Sequence, residues 1–234
     1  KEVETHRVNP NQKVDTFSID VSDIDQVRKA ISYISEKSAT PDLLVNSAGV
    51  THPGYVQDLD IHIFSWMMEV NYFGTVYTTK EVLPAMIKRG SGYILNICSL
   101  SGVISSFGYT AYGASKSAVL GFSEALRMEM KPQGIGVSIV FPTDTDTPQL
   151  AYENQFKPPE TRALNSFGGT NTAGDIARYS LKSIEHGQYI ILPNFDAKFV
   201  YHTRNMSVSL VNFIADKIIA NVIKKKNMQD NKKV

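Results

Sequence analysis

Three short runs in this chain are apolar almost without interruption: the LLV of DLLVNSAG, the YILNI of GYILNICS and the VSIVF of GVSIVFP. A strand with one face in water alternates polar and apolar residues. A strand without that alternation is covered on both faces. Between these runs lie longer stretches with helical periodicity. Buried strands alternating with helices predict a parallel, doubly wound α/β sheet in one domain. The length of 234 residues suits one domain of ordinary size.

The elements follow from the same periodicities. VDTFSIDV (14–21) alternates and predicts a strand ending at Asp20. SDIDQVRKAISYISEK places Ile24, Val27, Ile31 and Ile34 on one helical face, with Ser22 as the expected cap. Helices are predicted over 60–89, with a break near Asn71 and Gly74, over 110–130 and over 172–186. A strand-like YIILP follows the last of these. The domain is expected over 1–196. Residues 197–234 read as an amphipathic helix, with apolar positions at Val208, Val211, Ile214, Ile218, Val222 and Ile223, then a disordered basic tail.

Composition excludes several classes. A formal net charge of +1 gives no field for nucleic acid. The five histidines lack metal-like spacing and there is no CxxC pair, so no metal site is expected. Cys98, alone in the chain, cannot close an internal disulfide, which suits a reducing compartment. No run reaches the roughly 18 uncharged apolar residues of a spanning helix, and the polar opening KEVETHRVNPNQK is no signal peptide. The chain opens as though inside a helix, so its true N-terminus is expected to be missing.

In an open parallel sheet, ligands bind beyond the carboxyl ends of the strands. Here those ends carry Asp20-Val21, Asn46-Ser47-Ala48-Gly49, Ser99 and Pro142-Thr143. Each alone is ordinary turn chemistry; together they mark one edge. Shortly after Ser99 comes YGASK, with Tyr112 and Lys116 four residues apart and thus on one helical face. A cation beside a phenol lowers its pKa, which makes Tyr112 a candidate general acid. Ser99 and Tyr112 could both hydrogen-bond one carbonyl oxygen, the layout for carbonyl reduction or alcohol oxidation. The hydride would have to come from a nicotinamide cofactor.

NSAG at 46–49, Asn71 in EVNYFGTV, Ser99 in ICSLSG and YGASK resemble, in order and spacing, the motif set of the short-chain dehydrogenases/reductases. That resemblance implies a Rossmann-type fold with Asn71, Ser99, Tyr112 and Lys116 as a catalytic tetrad. It makes Tyr112 the acid, and gives Lys116 the nicotinamide ribose and Asn71 a proton-relay water at a helix bend. Asp20 and Val21 would line the adenine site, with Asn46, Ala48 and Gly49 bordering the cofactor. FPTDTDTPQLAYENQFKPPETR (141–162) and GFSEALRMEMKP resemble, more narrowly, the 3-ketodihydrosphingosine reductases, which also lack the usual Pro-Gly where this chain has Pro142-Thr143. The narrower resemblance implies NADPH-dependent reduction of a long-chain sphingoid ketone, with Thr147 near the nicotinamide carboxamide and phosphates. Reduction of another lipid ketone (a 3-ketoacyl chain or a steroid) and a non-catalytic binding role remain alternatives.

One departure is large: the Gly-rich TGxxxGxG turn that receives the pyrophosphate in this family is absent. NADPH preference is therefore implied by the resemblance alone. Residues 148–170, with Phe195, Phe199, Tyr201 and Phe213, could wall an apolar groove for a lipid tail. The C-terminal helix, with Lys224, Lys225 and Lys226, could meet an anionic membrane, pack on the core or meet a second subunit. The family implies a homodimer through the 60–89 and 110–130 helices. It also implies a cytoplasmic location, at the endoplasmic-reticulum surface in a eukaryote or in the cytosol or at the inner membrane in a bacterium.

Overall fold

The structure, a computed structural model, describes residues 8–9, 11–37, 40–165 and 169–230. Four parallel strands form the main sheet in the order β1-β2-β3-β6: β1 Leu43–Asn46, β2 Gly92–Ile97, β3 Ile135–Val140 and β6 Ile190–Ile191. Two short strands, β4 Thr145–Asp146 and β5 Asn171–Thr172, pair separately in parallel. The helices are α1 Ile24–Lys37, α2 Ile61–Met67, α3 Gly74–Arg89, α4 Thr110–Met130, α5 Pro148–Glu153, α6 Pro159–Asn165, α7 Ala173–Glu185, α8 Phe195–Met206 and α9 Val208–Asp230. This is the doubly wound α/β architecture anticipated above.

The strands are apolar on both sides because helices cover both sides. Ile94, Ile135 and Val137 pack on one face against Val82 and Met86 of α3 and Leu126 and Met130 of α4. On the other face, Leu95, Val140 and Ile191 pack against Ile176 of α7. Phe141, just past β3, is fully buried beside Val119 and Ala197. Burying a side chain of that size contributes about 1.5–3 kcal/mol. Coverage thins at β1, where Val45 is 44% exposed.

Several local expectations change. Residues 14–21 pair with no strand among the described residues, although the sequence alternates. Alternation gives a segment two faces, but a strand also needs a neighbouring ladder to satisfy its N–H and C=O groups. Asp23, not Ser22, caps α1: its Oδ1 accepts the N–H groups of Asp25 and Gln26 at 2.9 and 3.2 Å. The carboxylate sits one position closer to those open donors. The C-terminal segment forms two helices bent by 117° about Ser207, with 224–230 continuing α9, while the rest of the expected tail, 231–234, lies outside the described residues. The 196/197 boundary falls inside α8, whose Ala197 is fully buried.

Candidate active site

The site lies at the carboxyl ends of β1, β2 and β3, where α4 begins. Tyr112 and Lys116 are buried one turn apart on α4. Ser99, two residues past β2, hydrogen-bonds the Tyr112 phenol. The Lys116 ammonium donates to the Ile97 carbonyl at 3.0 Å and lies 5.8 Å from the Tyr112 ring centre. Gly49 makes that depth accessible: a Cβ there would stand 3.5 Å from Lys116 Nζ and 3.3 Å from Asn71 Oδ1.

Asn71 sits where α2 gives way to α3 through a π-helical turn, Met68–Phe73. The Gly74 N–H reaches back five residues to the Glu69 carbonyl, and the Asn71 carbonyl is taken by the Thr75 hydroxyl at 2.9 Å. The Asn71 side chain spans the site. Its Oδ1 accepts the Val50 N–H at 2.7 Å, and its Nδ2 donates to the Val50 carbonyl and the Ser115 hydroxyl, both at 2.9 Å. Ser115 in turn donates to the Tyr112 carbonyl at 2.7 Å. Asn71 therefore ties the loop after β1 to the Tyr112–Ser115 turn of α4.

Burial pushes the Tyr112 phenol well above its usual value; the Ser99 hydrogen bond opposes the rise, while Cys98, Glu153 and Asp144 add to it. Burial also holds the Lys116 ammonium below its usual value. The lowered phenol expected from the Tyr–Lys spacing is thus not met. Spacing placed the two groups correctly, but desolvation of both charged forms outweighs their mutual attraction.

The other anticipated residues divide. Val21, Asn46 and Ala48, with Gly74 and Thr78, line a cleft of about 100 Å³. The Asn46 side chain itself points into the fold, donating to Thr79 and Asn96 at 3.1 and 2.8 Å and accepting from Thr78 at 2.6 Å. Asp20 is exposed beside this cleft and accepts from Ser22. Pro142 follows β3. The Thr143 hydroxyl accepts from Asn171 and Asn194 at 2.8 and 2.7 Å. Thr147 caps α5 by accepting the Leu150 N–H at 3.3 Å.

Sequence reasoning missed three features. Cys98 lies beneath Lys116, whose carbonyl takes its thiol hydrogen bond at 3.3 Å, and burial pushes that thiol up to about 11. Asn96 is buried between Asn46 and Ser123; a lone Asn inside YILNI was a usable signal. On the segment above Tyr112, Lys157 bridges Glu153 at 3.0 Å and Asp144 at 3.3 Å, and Tyr109 hydrogen-bonds Glu153. The i,i+4 spacing of Glu153 and Lys157 resembles a solvated surface pair, so nothing local marked it as buried.

The short chain dehydrogenase family model matches residues 1–158. The chain is 42% identical over 190 residues to the 3-dehydrosphinganine reductase of Danio rerio, and 40% identical over 190 residues to the 3-ketodihydrosphingosine reductase of Bos taurus. Both alignments cover 81% of this chain and 57% of the relative, so the chain spans less than three fifths of either relative's length. A short-chain dehydrogenase from Streptomyces avermitilis superposes with a TM-score of 0.71 at 27% identity, covering 88% of this chain and 79% of that one. A short-chain dehydrogenase from Burkholderia cenocepacia in complex with NADP gives 0.73 at 25%, covering 90% and 81%. The family model spans well over half of the chain, and solved members share its sheet and flanking helices, so the chain belongs to the short-chain dehydrogenase family.

Proposed function

We propose that this chain is the catalytic part of a reductase that converts 3-ketosphinganine to sphinganine with NADPH. The observation that carries the chemistry is the placing of Ser99 beside the Tyr112 phenol, with the buried Lys116 5.8 Å from its ring. The substrate follows from the kinship at 38–42% identity with three vertebrate reductases named for that ketone.

The residues present fit a nicotinamide dinucleotide. The Val21–Asn46–Ala48 cleft leads towards Gly49, where the missing Cβ leaves Lys116 Nζ and Asn71 Oδ1 within reach. Val21, Ala48, Gly49 and the Asn46 backbone would hold it, with Asp20 at the adenine end. Lys116 and Tyr112 would meet the nicotinamide ribose, and Pro142, Thr143 and Thr147 the nicotinamide side. When bound, the cofactor supplies the hydride.

The chain's own residues supply the rest. Ser99 and Tyr112 hold the ketone oxygen with two hydrogen bonds, which strengthen as negative charge collects there. Tyr112 then gives its hydroxyl proton to that oxygen, and the C=O becomes CH–OH. Lys116, buried beside the Tyr112 ring, stabilises by its charge the phenolate left behind. Asn71 and Ser115 keep the Tyr112 turn in register with the loop after β1.

A homodimer and a lipid surface complete the proposal. The α3 and α4 faces share a groove lined by Leu83, Ile87, Phe122 and Leu126, fit for a second copy. Among the described residues no single helix is long and apolar enough to cross a membrane, while α8 and α9 have that length and composition only as a bent pair. Their exposed Phe195, Phe199, Phe213 and Ile214, with Lys217 and Lys224, suit an anionic membrane surface on the cytoplasmic side.

The test is a ketone panel with NADPH, using protein made from the complete reading frame. The proposal expects 3-ketosphinganine to have the highest kcat/KM. Preference for a 3-ketoacyl thioester or a steroid would move the substrate elsewhere in the family. No turnover of any ketone, with no thermal shift on adding NADPH, would leave a non-catalytic member.

A further inference from the structure

We infer that Glu153 is the counter-ion for a protonated amine on the carbon next to the ketone, so that the site selects 2-amino-3-ketones over plain ketones. This inference rests on the reductase reading above. Three observations carry it: the charge balance of the Glu153 group, its position, and the chemistry it faces.

Lys157 meets two carboxylates, Glu153 and Asp144, so with both ionised the group carries one negative charge in excess; burial raises the Glu153 carboxyl, and an added cation would favour its ionised form. Asp144 is 38% exposed and can lean on water, but the Glu153 and Lys157 side chains are only 9% and 3% exposed. A carboxylate has about four lone-pair positions. Glu153 has Lys157 on one and the Tyr109 hydroxyl as a further partner, which leaves acceptor capacity in a place largely closed to water. Buried charge of this kind is retained where a partner completes it.

The position is beside the reacting centre. Tyr109 and Tyr112 share the opening turn of α4, with ring centres 5.7 Å apart, and Glu153 reaches the Tyr109 hydroxyl from α5. A ketone held by Ser99 and Tyr112 would carry its neighbouring carbon, and any amine on it, past the Tyr109–Tyr112 turn that Glu153 meets. Val50, Ile63 and Phe64 pack against the cluster of Met67, Tyr109, Ala111 and Tyr112 and bring no carboxylate to it. Glu153 is thus the carboxylate best placed to meet an ammonium group there.

The excess charge also has a direction. The fields of Glu153 and Asp144 oppose ionisation of Tyr112. An ammonium seated against Glu153 cancels part of that field where a phenolate must form. The same contact would bind the amino ketone and ease its protonation, whereas a plain ketone would leave the opposing field in place.

The test compares 3-ketosphinganine with the matched long-chain 3-ketone lacking the amine, both with NADPH. The wild type should prefer the amino ketone, and Glu153→Gln should shrink the ratio of the two kcat/KM values about 10- to 100-fold, chiefly through KM. Glu153→Asp, which keeps the charge, should restore part of that ratio. A purely structural Glu153 would lower both ketones together and leave the ratio standing, which overturns the inference. If Glu153→Gln does not fold, the wild-type comparison decides: equal kcat/KM for the two ketones overturns the inference while leaving the reductase reading intact. Turnover of neither ketone would overturn both.

Discussion

Replacing Asn71 with Ala separates two roles that the position combines. The change deletes three hydrogen bonds: the 2.7 Å bond from the Val50 N–H, and the 2.9 Å bonds to the Val50 carbonyl and the Ser115 hydroxyl. Asn71 is 1% exposed, so water cannot readily replace them. Ser115 keeps its bond to the Tyr112 carbonyl, but Val50 loses a partner for both its N–H and its C=O. At about 0.5–1.5 kcal/mol per bond, with unsatisfied backbone groups at the upper end, the loss comes to about 2–4 kcal/mol. For a domain of this size that lowers Tm by about 5–15 °C. The assay is urea and thermal unfolding of wild type, Asn71→Ala and Ser115→Ala, with NADPH oxidation measured below the first transition. Ser115→Ala removes the Asn71 bond and the Tyr112 bond but leaves Val50 paired, so it should lose less, about 1 kcal/mol. An Asn71→Ala protein within 0.5 kcal/mol (about one weak hydrogen bond) of wild type would refute the bridging role. Any lost activity would then have to come from chemistry alone.

Three further outcomes follow from the same geometry. Tyr112→Phe should lower kcat by about 10²- to 10⁴-fold while the unfolding midpoint stays close to wild type, since Ser99 still accepts from the Ser101 N–H at 3.2 Å. Near-normal turnover would remove Tyr112 as the acid. Gly102→Ala should cost about 1–3 kcal/mol, because its Cβ would stand 2.7 Å from Cys98 Sγ and 2.9 Å from the Lys116 carbonyl oxygen. Unfolding by urea would measure it, and an unchanged midpoint would show that the turn gives way freely. Cys98, pushed up from 9.0 to about 11 by burial, favours the fold as a neutral thiol. Its share of stability is present below about pH 9 and is lost as pH rises towards 11. Urea midpoints of wild type and Cys98→Ala should therefore converge over that window, and a parallel pair of curves would contradict the sign.

The sequence was most legible where a local rule and the tertiary fold ask for the same thing. Helix 110–130 was read with the bounds the structure has, because small residues, apolar spacing and the following Lys-Pro all agree. The break near Asn71 was visible as an Asn and a Gly inside a helical pattern, although its π-helical form was not. Residues 14–21 misled because alternation is local while pairing is not. The Tyr112–Lys116 pair was located by spacing, yet its electrostatics were misjudged, since burial is set by α2 and the loop after β1, which pack on the Tyr112 cluster. The Glu153–Lys157 pair failed for the same reason in reverse: an ordinary surface spacing was carried inward by the fold.

Those two misjudged pairs meet in one electrostatic argument. Tyr112 has a cation, Lys116, 5.8 Å from its ring, and feels the opposing field of Glu153, which Lys157 holds at 3.0 Å. Burial dominates and the phenol stays protonated. A neutral phenol is the form an acid needs before it acts, so this state is a loaded donor. It becomes an effective donor only when positive charge reaches its anionic side, or when the ketone oxygen begins to carry charge of its own. Since Lys116 sits 5.8 Å from the ring and is itself held down by burial, the missing stabilisation has to arrive with the ligands. If Glu153 meets an amine as proposed, selection for an amino ketone and easier ionisation of Tyr112 would be consequences of that one contact.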